Sequence, residues 1–231
     1  MIMDGLRRRL AVWHTGQCVL CGTSTHGAEA LCAPCRADLP RTAACCKQCA
    51  TPLAAQGVCG RCQRNPPPYH HARAAFPFLA PVDFLIHGMK FTQRLGYARL
   101  LGDLLADFLM NVQAETPDII VPVPLHSARL RQRGYNQALE IARSVAAELG
   151  VDIDYRTCVR TRATPSQVSL DARLRRRNVK GAFELVRSPQ CRHVAVVDDV
   201  MTTGSTVSEI AGLLRRGGAE RVDVWVCARA V

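Results

Sequence analysis

At 231 residues the chain is long enough for one good-sized hydrophobic core plus a smaller module. It carries a formal charge of +11, and of its 30 basic residues only Lys47, Lys90 and Lys180 are lysine. Guanidinium forks suit phosphate better than ammonium groups do, so this charge fits a polyanionic partner, although a GC-rich genome produces the same bias. No apolar run approaches the ~20 residues of a membrane span, and MIMDGLRRRLAVW lacks the long apolar stretch of a signal peptide. A membrane-spanning class is therefore excluded, and a reducing, cytoplasmic location is expected.

Residues 1–17 read as a short amphipathic lead-in helix, with Leu6, Leu10 and Trp13 at helical spacing. Residues 18–64 are a cysteine-rich module. Nine of the 12 cysteines fall within the first 62 residues, in a stretch too poor in large apolar residues to fold through a hydrophobic core. Two near-duplicate units stand out: CVLC with CAPC (Cys18, Cys21, Cys32, Cys35), then CKQC with CGRC (Cys46, Cys49, Cys59, Cys62). A C-x-x-C turn aims two thiolates at one tetrahedral ion, and a second such turn completes four ligands. In a reducing compartment this pattern points to two structural zinc ions, with disulfides or an iron–sulfur cluster as alternatives. Apparent binding energy of about 10–16 kcal/mol per site is enough to fold such a segment. Sequential pairing gives two stacked ribbons, and a cross-brace joining the first and third pairs is also open. Cys45 is spare, able to replace Cys46, while Cys158, Cys191 and Cys227 read as small buried residues.

NPPPYHH, 65–71, reads as a stiff linker, and residues 72–231 as an α/β domain. ARAAFPFLA suggests a strand, GYARLLGDLLADFLM a helix, and DIIVPVPL (118–125) a short buried strand ending in prolines. GYNQALEIARSVAAELG predicts an amphipathic helix over 134–150, closed by Gly150. HVAVVDD (193–199) is a second buried strand. STVSEIAGLLRRGGA is a helix with Ser205 as a possible cap, and VDVWVCARAV is the last strand. Strands alternating with helices imply an open, mainly parallel sheet with helices on both faces.

The end of the second buried strand carries the chemistry. VAVVDDVMTTGST, 194–206, sets two adjacent acids before a turn of small hydroxyl residues that leads into a helix. The turn's N–H groups, the hydroxyls of Thr202, Thr203, Ser205 and Thr206, and the helix dipole form an anion cradle; Gly204 permits close approach or positive φ. Asp198 and Asp199 would repel a bare phosphate but accept hydrogen bonds from sugar hydroxyls, and they are suited to a magnesium ion. Together these features fit a phosphorylated ribose, its diol on the acids and its 5′-phosphate on the turn.

This stretch resembles the thirteen-residue motif with which type I phosphoribosyltransferases bind phosphoribosyl pyrophosphate. With LIHGMKF (85–91), VPVPLHSARLRQRGYNQA (121–138), TPSQVSLDARLRRRNVKGAF (164–183) and the cysteine units in front, the chain resembles the ComF/GntX family over nearly its whole length. The resemblance implies a type I phosphoribosyltransferase-like domain behind a double zinc ribbon. It makes Asp198 and Asp199 the catalytic acids if the chain is an enzyme. Pro122, Pro124, Arg129, Arg131 and Arg133, with Lys90, become the pyrophosphate side, and magnesium is expected with the donor. The basic segment from Arg160 to Lys180 becomes a mobile hood, in which Gln167 and Asn178 are polar family markers. Its Arg173, Arg175, Arg176, Arg177 and Lys180 are candidates for nucleic-acid contacts. The implied role is natural transformation: handling imported single-stranded DNA with helicase and recombination-mediator partners. No nucleobase-binding segment of the salvage enzymes is recognisable, so transfer to a nitrogenous acceptor stands as the alternative.

Overall fold

Short β-branched runs become the strands of one sheet, and the amphipathic stretches between them become its covering helices. The computed structural model describes residues 16–27, 29–92, 94–163 and 179–230. The expected lead-in helix, apart from its last two residues, lies outside that set, as do Gln167, Arg173, Arg175, Arg176, Arg177 and Asn178. The chain divides into two compact units, Met1–Pro40 and Arg41–Val231. Among its described residues the first carries one short helix, α1 (Ala33–Ala37).

In the second unit α2 (Gly60–Arg64) precedes β1 (His71–Pro77), α3 (Val82–Phe91) and α4 (Leu95–Asn111). Then follow β2 (Ile119–Pro122), α5 (Ser127–Arg133), α6 (Gln137–Leu149), β3 (Asp152–Ile153), β4 (Cys158–Arg160) and β5 (Phe183–Leu185). The chain finishes with β6 (His193–Met201), α7 (Ser205–Arg216) and β7 (Arg221–Arg229). Five strands form a wholly parallel sheet in the order β1-β7-β6-β2-β3. Strands β4 and β5 pair antiparallel apart from it, joining the two ends of the arginine-rich segment.

The central strands β6 and β7 are buried on both faces, as their unbroken apolar runs require. Val194, Val196, Val222, Val224 and Val226 pack in one cluster with Ile210 and Leu214 of α7. On β7, Trp225 and Cys227 alternate with those valines, and Cys227 Sγ reaches the Leu101 carbonyl of α4 at 3.6 Å. Strand order reverses in the middle: β2 leads out to β3 on one side, β6 to β7 on the other. A ligand crevice opens at such a reversal, beyond the carboxyl ends of the strands.

Three local expectations need correction. The helix expected from residue 134 starts at Gln137, because Gly134 (φ 80) ends α5 and the Asn136 side chain caps α6, accepting from Ala138 N at 3.1 Å. Ser205 is not a cap: Gly204 holds the cap position at φ 76, and the Thr203 hydroxyl accepts from Ser205 N at 3.3 Å. Strand β6 runs on through the acids to Met201. No helix among the described residues is long and apolar enough to cross a membrane.

Candidate functional site

The crevice holds a cavity of about 400 Å³ whose lining brings together Asp198, Asp199 and the whole turn from Thr202 to Thr206. Asp199 is buried and Asp198 half-buried. Lys90, projecting from α3, places Nζ 2.8 Å from Asp199 Oδ2. The sequence offers Lys90 to a phosphate; here its ammonium neutralises one of the two acids. Among the described residues no ammonium stands at contact distance from Asp198. Burial and then the Asp199 charge push its carboxyl up to about 7, against the pull of Lys90.

The turn is preorganised. Thr203 Oγ1 and Ser205 Oγ lie 2.7 Å apart. Gly204 adopts positive φ, and a Cβ there would lie 3.4 Å from the Tyr69 hydroxyl and 3.6 Å from Met201 Sδ. Residues 202–206 thus present their backbone at the amino end of α7, where a helix favours negative charge.

Opposite the acids, Arg129 and Arg133 lie four apart on α5 and share the face that meets the cavity. Arg131 falls on the other side of that helix, exposed and away from the lining among the described residues. Pro122 and Pro124 are likewise not in the lining; Val123 between them and Leu125 after them are. The prolines shape the loop, and Asn136 ties it to α6 by donating from Nδ2 to the Val123 carbonyl at 3.0 Å. Arg160, from β4, joins the arginine side of the cavity. Burial, and then the neighbouring Arg129 charge, pull both Arg133 and Arg160 below the usual arginine range. Three guanidiniums gathered by one cavity favour an anion among them. Arg133 lies over the Phe91 ring (5.9 Å) and Arg160 over Phe183 (5.3 Å).

The sequence did not reveal the apolar wall of the cavity, formed by Phe78, Ile86, His87 and Phe91. His87 and Phe91 stack with centroids 5.6 Å apart, one helical turn along α3. Their i, i+4 spacing with Lys90 alongside was the available signal. Lys180, the described member of the nucleic-acid candidates, is exposed, and its carbonyl accepts from Arg162.

The cysteines group sequentially, Cys18, Cys21, Cys32 and Cys35 in one cluster and Cys46, Cys49, Cys59 and Cys62 in the other. Each second C-x-x-C turn opens a short helix, α1 after Cys32 and α2 after Cys59. Within each cluster all Sγ atoms lie within 4.8 Å of one another, and Cys21–Cys32 and Cys49–Cys59 each stand at 3.7 Å. Two sulfurs bound to tetrahedral zinc at about 2.3 Å stand about 3.8 Å apart, so the donor sets fit the metal. Cys59 N donates to Cys46 Sγ at 3.3 Å, the kind of outer hydrogen bond that orients a ligating sulfur. Four thiolates leave no open position on the ion, which makes these sites structural. Cys45 belongs to neither cluster.

Comparison with known proteins agrees with this architecture. A double zinc ribbon domain model matches residues 12–63 and a phosphoribosyl transferase domain model residues 92–230. The DNA utilization protein YhgH of Salmonella typhimurium is 40% identical over 97% of this chain and 95% of its own. That of Escherichia coli K12 is 39% identical over the same shares. Competence protein F of Haemophilus influenzae is 34% identical over 93% of this chain and 97% of its own.

Proposed function

Because the chain belongs to the ComF/GntX family, a phosphoribosyltransferase-type domain behind a double zinc ribbon, we propose that it binds phosphoribosyl pyrophosphate or a closely related 5-phosphorylated ribose. One observation carries the reading: paired acids, hydroxyl turn and clustered arginines face a single cavity at the strand-order reversal. Asp198 and Asp199 accept from the 2′ and 3′ hydroxyls, the 202–206 turn donates to the 5′-phosphate, and Arg129, Arg133 and Arg160 meet the diphosphate. Magnesium, arriving with the donor, offsets the charge between diphosphate and acids. Lys90 holds Asp199 until the sugar enters.

The relatives' names extend the reading to DNA handling. The protein acts on imported single-stranded DNA in the cytoplasm, with helicase and recombination-mediator proteins as partners, and its arginines hold the phosphate backbone with little sequence selectivity. Residues Arg173, Arg175, Arg176, Arg177 and Lys180 supply part of that surface. The ribose ligand serves as a signal or as a donor. The aromatic wall favours a second reading, transfer of phosphoribose to a planar nitrogenous acceptor, because Phe78, His87 and Phe91 offer ring faces beside the sugar site.

Calorimetry of the zinc-loaded protein with phosphoribosyl pyrophosphate and magnesium tests the first reading, and pyrophosphate release across a panel of bases tests the second. One saturable site per chain, weakened at least tenfold by Asp199→Asn, is expected. No heat with any 5-phosphorylated ribose would sink the ligand reading; saturable binding without turnover would leave the donor as a signal only.

A further inference from the structure

Arg229, the last residue of β7, is only 6% exposed. Parallel pairing with β6 sets it beside Met201, at the root of the phosphate turn. Its guanidinium makes five hydrogen bonds that reach in two directions. Toward the turn, Nη1 donates to the carbonyls of Met201 (2.9 Å) and Thr202, and also to Ala230 of its own strand end. Toward the second cysteine cluster, Nε donates to the Cys49 carbonyl (2.9 Å) and Nη2 to Thr51 Oγ1 (2.9 Å). Thr51 Oγ1 in turn lies 3.3 Å from Cys49 Sγ. The Cys49 thiol donates to that hydroxyl, and once Cys49 is a metal-bound thiolate the hydroxyl hydrogen is free to turn to the sulfur. A second link runs alongside: Arg61 of α2, next to Cys62, donates to the Thr203 carbonyl at 2.9 Å.

The electrostatics explain why an arginine is buried there. The five oxygens that accept from Arg229 are all uncharged, and the charge that draws on it is that of Cys49. A buried guanidinium is expensive without a compensating charge. Four thiolates around one Zn²⁺ carry a net charge of about −2, and the Cys46, Cys49, Cys59, Cys62 set is the nearby group able to supply it. The turn also needs support, because a second cavity of about 410 Å³ lies on it, lined by Met201, Thr203, Gly204, Arg61, Tyr69 and Arg229. Where packing leaves a gap, the two arginines hold the turn's carbonyls, and holding the carbonyls fixes where the N–H groups point.

We propose that Arg229 is a positioning residue that couples the second zinc centre to the phosphate-binding turn, so that zinc occupancy sets the affinity for a 5-phosphorylated ribose. The affinity half rests on the ligand reading above; the coupling to the turn stands without it. Three measurements on the full, zinc-loaded chain test it. Removing zinc should speed amide exchange over residues 201–206 about tenfold, and Arg229→Met should do the same with zinc in place. Ribose 5-phosphate should bind Arg229→Met about tenfold more weakly. Linkage is reciprocal, so saturating ribose 5-phosphate should raise the affinity of one zinc ion against a competing chelator by a similar factor in the wild type and not in the variant. A merely structural arginine would not produce that reciprocal shift. If Arg229→Met fails to fold, the wild-type exchange and chelator measurements decide alone. Exchange at 201–206 indifferent to zinc overturns the coupling. Absence of ribose 5-phosphate binding with zinc-dependent exchange intact overturns the ligand reading instead.

Discussion

Two acids stand side by side near the carboxyl end of β6, and only Asp199 has an ammonium against it. Burial, and then the Asp199 charge, push the Asp198 carboxyl up from 3.8 to about 7. A carboxyl raised in the folded state holds its proton preferentially there. Its contribution to stability is complete below pH about 4 and is lost as pH rises through about 7. Ligand affinity runs the opposite way, because sugar hydroxyls donate to the ionised form. Between pH 6 and 8, ribose 5-phosphate affinity measured by calorimetry should rise about tenfold more for the wild type than for Asp198→Asn, the phosphate's own ionisation near pH 6 being common to both. Parallel pH profiles would remove Asp198 from sugar recognition. At this scale the sequence shows what lies contiguous in the chain: the acids, the hydroxyl turn and the C-x-x-C pairs each announce their chemistry within a few residues. Phe78, Phe91 and Arg160 come to the same cavity from separate elements, and Arg229 looks like an ordinary residue in a strand. Only the folded register brings them there.

Among the elements, α4 and α6 approach each other closely at Gly102. Gly102 sits in the apolar face of α4, and a Cβ on it would lie 2.7 Å from Ser144 Cβ and 2.8 Å from the Ile141 carbonyl. Backbone cannot swing aside as a side chain can, so the helices must part. Gly102→Ala should therefore destabilise by about 1–2 kcal/mol net, overpacking of about 1–3 being partly offset by up to about 1 from helix propensity. Gly96→Ala, in the same helix with open space around it, provides the control and should be neutral or stabilising. Urea melts of the two variants make the comparison, and equal midpoints would refute the close crossing. Periodicity predicts the span of α4 well because seventeen residues give the pattern room to repeat. It starts α6 three residues early, at Gly134, Tyr135 and Asn136, where a left-handed glycine and an asparagine cap act over three residues, and it leaves α5 unread. Strands β3, β4 and β5, of two or three residues, are too short to carry any period.

For the whole molecule the governing quantity is charge. An excess of +11 dominated by arginine is visible in the composition; where it meets a polyanion is not, since composition carries no geometry. The three consecutive arginines Arg175, Arg176 and Arg177 lie outside the described residues, so the test concerns their charge alone. Each phosphate neutralised on a single strand contributes about 0.7 to the fall of log K with log salt, because a condensed counterion is released. Aromatic residues make up only 5% of the chain, which argues against base stacking as the main source of affinity. Single-stranded DNA affinity, measured by anisotropy from low to moderate salt, should therefore fall steeply and depend little on sequence. Replacing the three arginines by alanine should flatten the slope by about 2, three contacts at 0.7 each. A variant that binds more weakly with an unchanged slope would mean that these residues support the fold or another contact, and not the backbone. Affinity indifferent to salt in the parent chain would overturn the electrostatic model altogether, and DNA would then have to be held through contacts that release no counterions.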